Sequence, residues 1–224
     1  MEVFQTLRLW VDPLQRSGPE SMAVDEWLLE TATAPLLRVY RWQGDWASVG
    51  YFGKIAEAQA AIPCVSWVRR STGGGIVDHR ADWTYTLVVP QAEPLASWRR
   101  TEIYRAIHAA LADALVAEGI AARLSGGDEE TGAALCFENP VNHDLLGPDG
   151  RKLSGAGQRR SRQGLLHQGS VLAACGELAS QQRAEALAGR LARCWQPFHA
   201  QPEPLDLAQR VTARYARDGW TCRR

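Results

Sequence analysis

Lysine is nearly missing from this chain of 224 residues: Lys54 and Lys152 stand against twenty-three arginines. Net charge is missing too. Twenty-five acidic and twenty-five basic side chains cancel, so no global field draws nucleic acid or an anionic membrane, and electrostatic docking is left to local patches. No run approaches the ~18 apolar residues of a spanning helix, and the opening "MEVFQTLRLWVDPLQRSG" lacks the basic and apolar regions of a secretory leader. The five cysteines (64, 136, 175, 194, 222) are odd in number, scattered and without a C-x-x-C pair. That argues against a disulfide framework and structural zinc, and the expected setting is a reducing cytoplasm. Also absent are a GKS or GKT phosphate loop, a dinucleotide fingerprint, a G-x-S-x-G elbow and an H-E-x-x-H helix. His79, His143 and His167 fit no compact ligand set, so no metal is expected.

What is present is the composition of a globular protein, 46% hydrophobic and 22% charged, long enough to bury a core as one large domain or two small ones. Strands are predicted at 7–12, 36–42, 46–51, 64–70, 82–90 and 164–174, with a hairpin of 143–146 and 151–157 about the turn "GPDG". Helices are predicted at 18–32, with Pro19 in the first turn, at 97–118, where Ile103, Ile107, Leu111 and Leu115 repeat every four residues, and at about 176–193 and 204–217. No internal repeat and no βαβ alternation occurs. The expected fold class is α+β, a mixed, largely antiparallel sheet flanked by helices.

Three stretches carry candidate chemistry. In "RRSTGGGIVDH" (69–79), Gly73, Gly74 and Gly75 let backbone N–H groups approach a ligand, and Arg69 and Arg70 offer forked donors to a carboxylate or phosphate. The bland alternative is a hairpin turn with a basic strand end. In "GRKLSGAGQRRSRQGLLHQGSVL" (150–172), Lys152 precedes Ser154, Gly155, Ala156 and Gly157, whose small side chains leave a narrow slot. Lysines after turns are usually just exposed, so this one gains meaning only from its company. Cys136, in "GAALCFENPVNHDLL", stands sixteen residues before Lys152 after an acidic loop. A thiol beside a cation at an apolar slot can act as a nucleophile, although most cysteines are small buried residues. His143 is a conceivable base for it. The run "QRRSR" (158–162) is either a solvated hairpin tip or a dock for an acidic protein.

Together these pieces resemble the lipoate–protein ligase and octanoyltransferase family, which shares its catalytic domain with biotin protein ligases. "ESMAVDEWLL" is similar to the family's "NMAxDExLL", and "RWQGDWASVGYFGK" to "W-x-x-P-x-x-S-x-G-x-x-Q". "RRSTGGGIVDH" is similar to "RRx[ST]GG[GR]AVxH", and "GRKLSGAGQ…HQGS" to "GRKI[AS]GSAQ…HG[ST]". The four occur in the family's order. The resemblance implies a fold like that of class II aminoacyl-tRNA synthetases, with a tunnel for a medium acyl chain, and a single catalytic domain over 1–224. It makes Lys152 the contact to the acyl carbonyl. Arg69, Arg70, Gly73–Gly75, His79, Ser154–Gly157, His167 and Gly169 then bind substrate.

Two chemistries follow from it. A transferase carries octanoate from acyl carrier protein to a lysine of a 2-oxoacid dehydrogenase lipoyl domain or the glycine cleavage H protein. It works through a Cys136 thioester, without cofactor. A ligase activates lipoate with ATP and magnesium. Three features favour the transferase: "CFENPVNHDLL" is similar to the nucleophile segment "CFxSPSxxEL", "DHRADWTYT" resembles "HxxxLTYS" rather than "HDxGNxNF", and no accessory C-terminal domain is expected.

Overall fold

The computed structural model describes residues 3–127, 131–132 and 136–223. Strand β1 (Phe4–Arg16) leads into helix α1 (Gly18–Thr31), whose start is fixed by a capping box: Glu20 N–H donates to Ser17 Oγ, Ser17 N–H to the Glu20 carboxylate, and Pro19 occupies the first turn. Then come β2 (Leu36–Trp42), β3 (Trp46–Val49), α2 (Ile55–Ala61), β4 (Ser66–Arg69), β5 (Ile76–Asp78) and β6 (Trp83–Pro90). Helix α3 (Arg100–Ala117) separates these from β7 (Arg123–Leu124), a single helical turn at Cys136–Glu138, β8 (Leu145–Leu146), β9 (Lys152–Arg160) and β10 (Gly164–Val171). The chain continues through α4 (Glu177–Leu191), β11 (Ala192–Pro197), α5 (Pro204–Arg210) and α6 (Asp218–Thr221).

The fold is α+β. Its large sheet has the order β11-β1-β2-β6-β10-β9-β8-β7, with β1 parallel to both β11 and β2 and the remaining neighbours antiparallel. Every residue of β6 and β10 is buried, because helices cover both faces of the sheet. On one face Leu37, Tyr85, Leu87 and Leu165 pack against Ile103, Ile107 and Leu111 of α3 and Leu187 and Leu191 of α4. On the other, Trp10, Leu36, Val88 and Leu166 meet Val24 and Leu28 of α1.

The short turn after β2 makes no hairpin. Both edges of β2 are already taken by β1 and β6, so β3 leaves the large sheet and pairs with β4 and β5 in a second sheet of three strands. The predicted 143–157 hairpin forms as β8 and β9, with a register irregularity between Leu145 and Leu146. Helix α2 and strands β5, β7 and β11 were not expected from the sequence. Among the described residues no helix is long and apolar enough to cross a membrane.

Candidate active site

Antiparallel pairing sets Gly155, Ala156 and Gly157 of β9 opposite Ser170, Gly169 and Gln168 of β10. The glycines let the small sheet approach closely: a Cβ on Gly157 would lie 2.3 Å from the Gly73 carbonyl oxygen, and one on Gly50 2.0 Å from that of Gly74. Between the two sheets lies a narrow, partly open cavity. Met22, Tyr40, Trp42 and Val77 supply apolar wall. Arg70, Gly74, His79, Thr84, Cys136, Gln168 and Ser170 complete it with Gly155–Gly157 and Gly169.

Cys136 Sγ stands 3.3 Å from Lys152 Nζ at the edge of this cavity. The lysine is buried and makes three contacts, to Asp144 Oδ2 at 2.6 Å, the Asn139 carbonyl at 3.3 Å and the sulfur. An ammonium has three donors, so all of them have a partner. His143, weighed as a base for the thiol, is held through its backbone: its carbonyl accepts from His108 Nδ1 at 2.7 Å and its φ is 70°. The acidic residues 128–130 lie outside the described residues.

The two arginines of the strand end differ. Arg70 lines the cavity, donating to Ser48 Oγ at 2.5 Å and to the carbonyls of Gly73 and Gly75 at 3.3 and 3.0 Å. These bonds draw the glycine loop around its guanidinium. Burial makes the Arg70 guanidinium less basic than usual. Arg69 needs correcting as a substrate contact. All five of its N–H groups point to backbone carbonyls, of Gly50, Tyr51 and Gly53 on one side and Trp220, Thr221 and Arg223 on the other. It bolts the C-terminal segment to the loop after β3.

His79 bridges Ser48 Oγ (2.6 Å) and Asp82 Oδ2 (2.7 Å), and its ring stacks on Trp42 at 4.0 Å between centroids. Thr84 and Ser170 also donate to that Asp82 oxygen. His167 too needs correcting. Side chains alternate along a strand, so while Gln168 turns to the cavity, the His167 ring turns to α3. There it lies beside Tyr104 and His108 and bonds Tyr85 and Gln158. Burial drives its pKa well below the usual imidazole value, so it stays neutral. Ser154 is likewise out of the cavity, donating to the Ser170 carbonyl at 2.9 Å. Gly73 and Gly75 contribute their carbonyls to the loop's hold on Arg70.

Asp144 and Tyr104 escaped the sequence reading. Asp144 sits inside "NPVNHDLL", and Tyr104 interrupts no pattern because it flanks the Ile103/Ile107 stripe. Ser48, Asp82 and Gln168 lie inside the quoted motifs but are not among the candidate residues named from them.

A family model for the lipoyl protein ligase A/B catalytic domain matches residues 17–188. Octanoyltransferase LipM of Carboxydothermus hydrogenoformans is 36% identical over 172 residues, 73% of this chain and 64% of the relative. Octanoyltransferase LipM of Symbiobacterium thermophilum is 32% identical over 177 residues, 72% of this chain and 64% of the relative. The matched part of the chain thus spans less than two thirds of either relative. Among solved structures, protein Ta0514 of T. acidophilum with bound lipoic acid has a TM-score of 0.72 at 17% identity. A lipoate-protein ligase A bound with ATP has 0.71 at 18%, and each alignment covers 99% of both chains. At that identity they show the fold alone. The chain belongs to the lipoyl protein ligase A/B catalytic-domain family.

Proposed function

We propose that this protein transfers an octanoyl group, or a lipoyl group in its place, from a carrier thioester to a specific lysine of a lipoyl-carrier protein through an acyl-thioester on Cys136. The observation that carries this reading is the Cys136 sulfur 3.3 Å from the Lys152 ammonium at the edge of a narrow cavity walled by Gly155, Ala156 and Gly157. The Cys136 thiolate attacks the donor carbonyl, and Lys152 stabilises the oxyanion. The C–S bond to the carrier breaks, and the carrier leaves as a thiolate that takes a proton from solvent. The acceptor lysine, as a free amine, then attacks the acyl-enzyme. The amide bond forms, the thioester bond breaks, and the amine's proton ends on solvent as the Cys136 thiolate returns. Burying seven aliphatic carbons contributes roughly 5 kcal/mol at ~0.8 kcal/mol each.

The donor in this reading is acyl carrier protein. The acceptor is a lipoyl domain of a 2-oxoacid dehydrogenase or a glycine cleavage H protein, and the setting is the cytoplasm. A basic edge supports an acidic donor: Arg99, Arg100, Arg105, Arg160 and Arg162 are exposed, with no carboxylate ion pair among the described residues. Arg160 reaches the Trp98 carbonyl beside Arg99 and Arg100. Glu93 and Glu102 are the carboxylates on the same segments, and Glu102 is turned back to cap Arg99 N–H.

The ATP-dependent ligase reading has Arg69, Arg70 and the glycine loop hold the adenylate phosphate and Lys152 bridge phosphate and carbonyl. Of these, Arg69 has no donor left, while Arg70 and Gly74 line the cavity. The transferase reading asks for neither ATP nor magnesium. Incubation with octanoyl carrier protein and a lipoyl domain, without ATP, tests it: octanoyl amide forms with the wild type and not with Cys136→Ala. Amide formed only with free acid plus ATP, and undiminished by Cys136→Ala, contradicts it.

A further inference from the structure

Lys152 reaches the thiol because something holds it there. Asp144 is fully buried, and its carboxylate is shared with three donors: Lys152 Nζ at 2.6 Å and Val141 N–H at 2.8 Å on Oδ2, and Tyr104 OH at 2.5 Å on Oδ1. The Tyr104 hydroxyl in turn accepts from Ala156 N–H at 2.7 Å, fastening the carboxylate to the strand that forms the slot. One helical turn on, His108 holds the residue before Asp144 through the His143 carbonyl. Burial keeps that imidazole neutral, its pKa pushed down to about 4. The strand is shaped around the pair: a Cβ on Gly155 would come within 2.6 Å of Lys152 Cε, 2.8 Å of Nζ and 3.1 Å of Asp144 Oδ1.

We propose that Asp144, locked by Tyr104, is a positioning residue that keeps Lys152 charged and aimed at Cys136, so that the lysine acts as a fixed cation and not as a proton acceptor. A buried ammonium without a counter-charge is unstable. Without the carboxylate the lysine sheds its proton or swings away, and in either event the thiolate loses its stabilising charge. The proposal rests on the transferase reading for its catalytic consequence. The charge relation between Asp144, Lys152 and Cys136 is independent of it.

The test is the pH dependence of Cys136 alkylation by iodoacetamide, read at that residue by peptide mass spectrometry, together with kcat and KM for octanoyl transfer. Asp144→Asn moves the alkylation midpoint to higher pH and lowers kcat at least tenfold, with KM for the donor changed less than twofold. Asp144→Glu regains part of both, and Tyr104→Phe moves the midpoint the same way by less. A folded Asp144→Asn enzyme whose midpoint is unchanged overturns the proposal. So does a midpoint that falls, because Lys152 then keeps place and charge unaided. If Asp144→Asn does not fold, Tyr104→Phe decides by the same criterion. Alkylation needs no acyl donor, so a wild type that accepts no octanoyl group sinks the transferase reading while these curves still judge Asp144.

Discussion

Arg38 and Lys152 are both buried cations, and the difference between them separates scaffold from site. Arg38 is fully buried between Asp12 and Asp25, donating to Asp12 Oδ2 at 2.8 and 3.2 Å, to Asp25 Oδ1 at 2.7 Å and to the Ser21 carbonyl, with its face on Tyr40 at 4.0 Å. The Asp25 carboxylate is completed by Thr86 and Gln168. Every partner is protein, fixed on β1, α1, β6 or β10, so the network is closed. A planar fork suits that task. Lys152 has one carboxylate, one carbonyl and a half-buried sulfur at a cavity. In the proposed transfer the sulfur is the partner that an oxyanion would replace. A compact ammonium fits among three unlike acceptors under Gly155, where a Cβ already has no room. Burial and ion pairing alone do not mark a site. An exchangeable partner does.

Breaking each side of this comparison gives distinct outcomes. The largest effect is expected from Arg38→Ala, which leaves Asp12 and Asp25 buried without their cation and lowers unfolding free energy by about 3–5 kcal/mol. Denaturant titration reads it, and a loss below about 1 kcal/mol would mean the closed network is not the scaffold described. Acidification comes next. His108 is held neutral with a pKa of about 4 against the ordinary 6.5. Above pH 6.5 it is neutral in both states and its contribution to stability is complete. As pH falls towards 4 the unfolded chain takes up a proton that the folded one refuses, so stability drops, on the order of 3 kcal/mol from this residue. His167 acts in the same direction. Thermal unfolding between pH 7 and pH 4 should show the decline, and His108→Gln should flatten it; equal slopes would contradict the assignment. The smallest is Lys152→Arg. It should cut kcat about 100-fold, the cost of one lost oxyanion donor, and lower unfolding free energy by about 1–3 kcal/mol, because the wider guanidinium overpacks the space under Gly155. Full activity in that variant would erase the distinction between point charge and fork.

Much of this was legible in the sequence. Pro19 in the first turn of α1, the four-residue stripe of α3 and the β8–β9 turn were visible because each is a local pattern. The motifs also announced Cys136, Lys152, Arg70, His79 and Gly155–Gly157, which the folded chain gathers around one cavity. Contacts distant in sequence were not legible. Asp144 meets Tyr104 across forty residues, and Arg69 meets Trp220 across 151, so nothing near Arg69 could reveal that its donors were engaged. The departure of β3 from the large sheet was illegible for a related reason, since a short turn does not tell that both edges of β2 are occupied. His167 was ambiguous because a strand buried on both faces has no polar side to orient by.

The central claim is an acyl-thioester on Cys136 formed without ATP. Intact-protein mass spectrometry after incubation with octanoyl carrier protein, on wild type and Cys136→Ser, addresses it most directly. The account predicts a single octanoyl adduct on the wild type that hydroxylamine removes, and on the variant either none or a hydroxylamine-stable ester. An adduct that forms equally on both proteins with the same hydroxylamine sensitivity, or no adduct unless free acid and ATP are supplied, would contradict it.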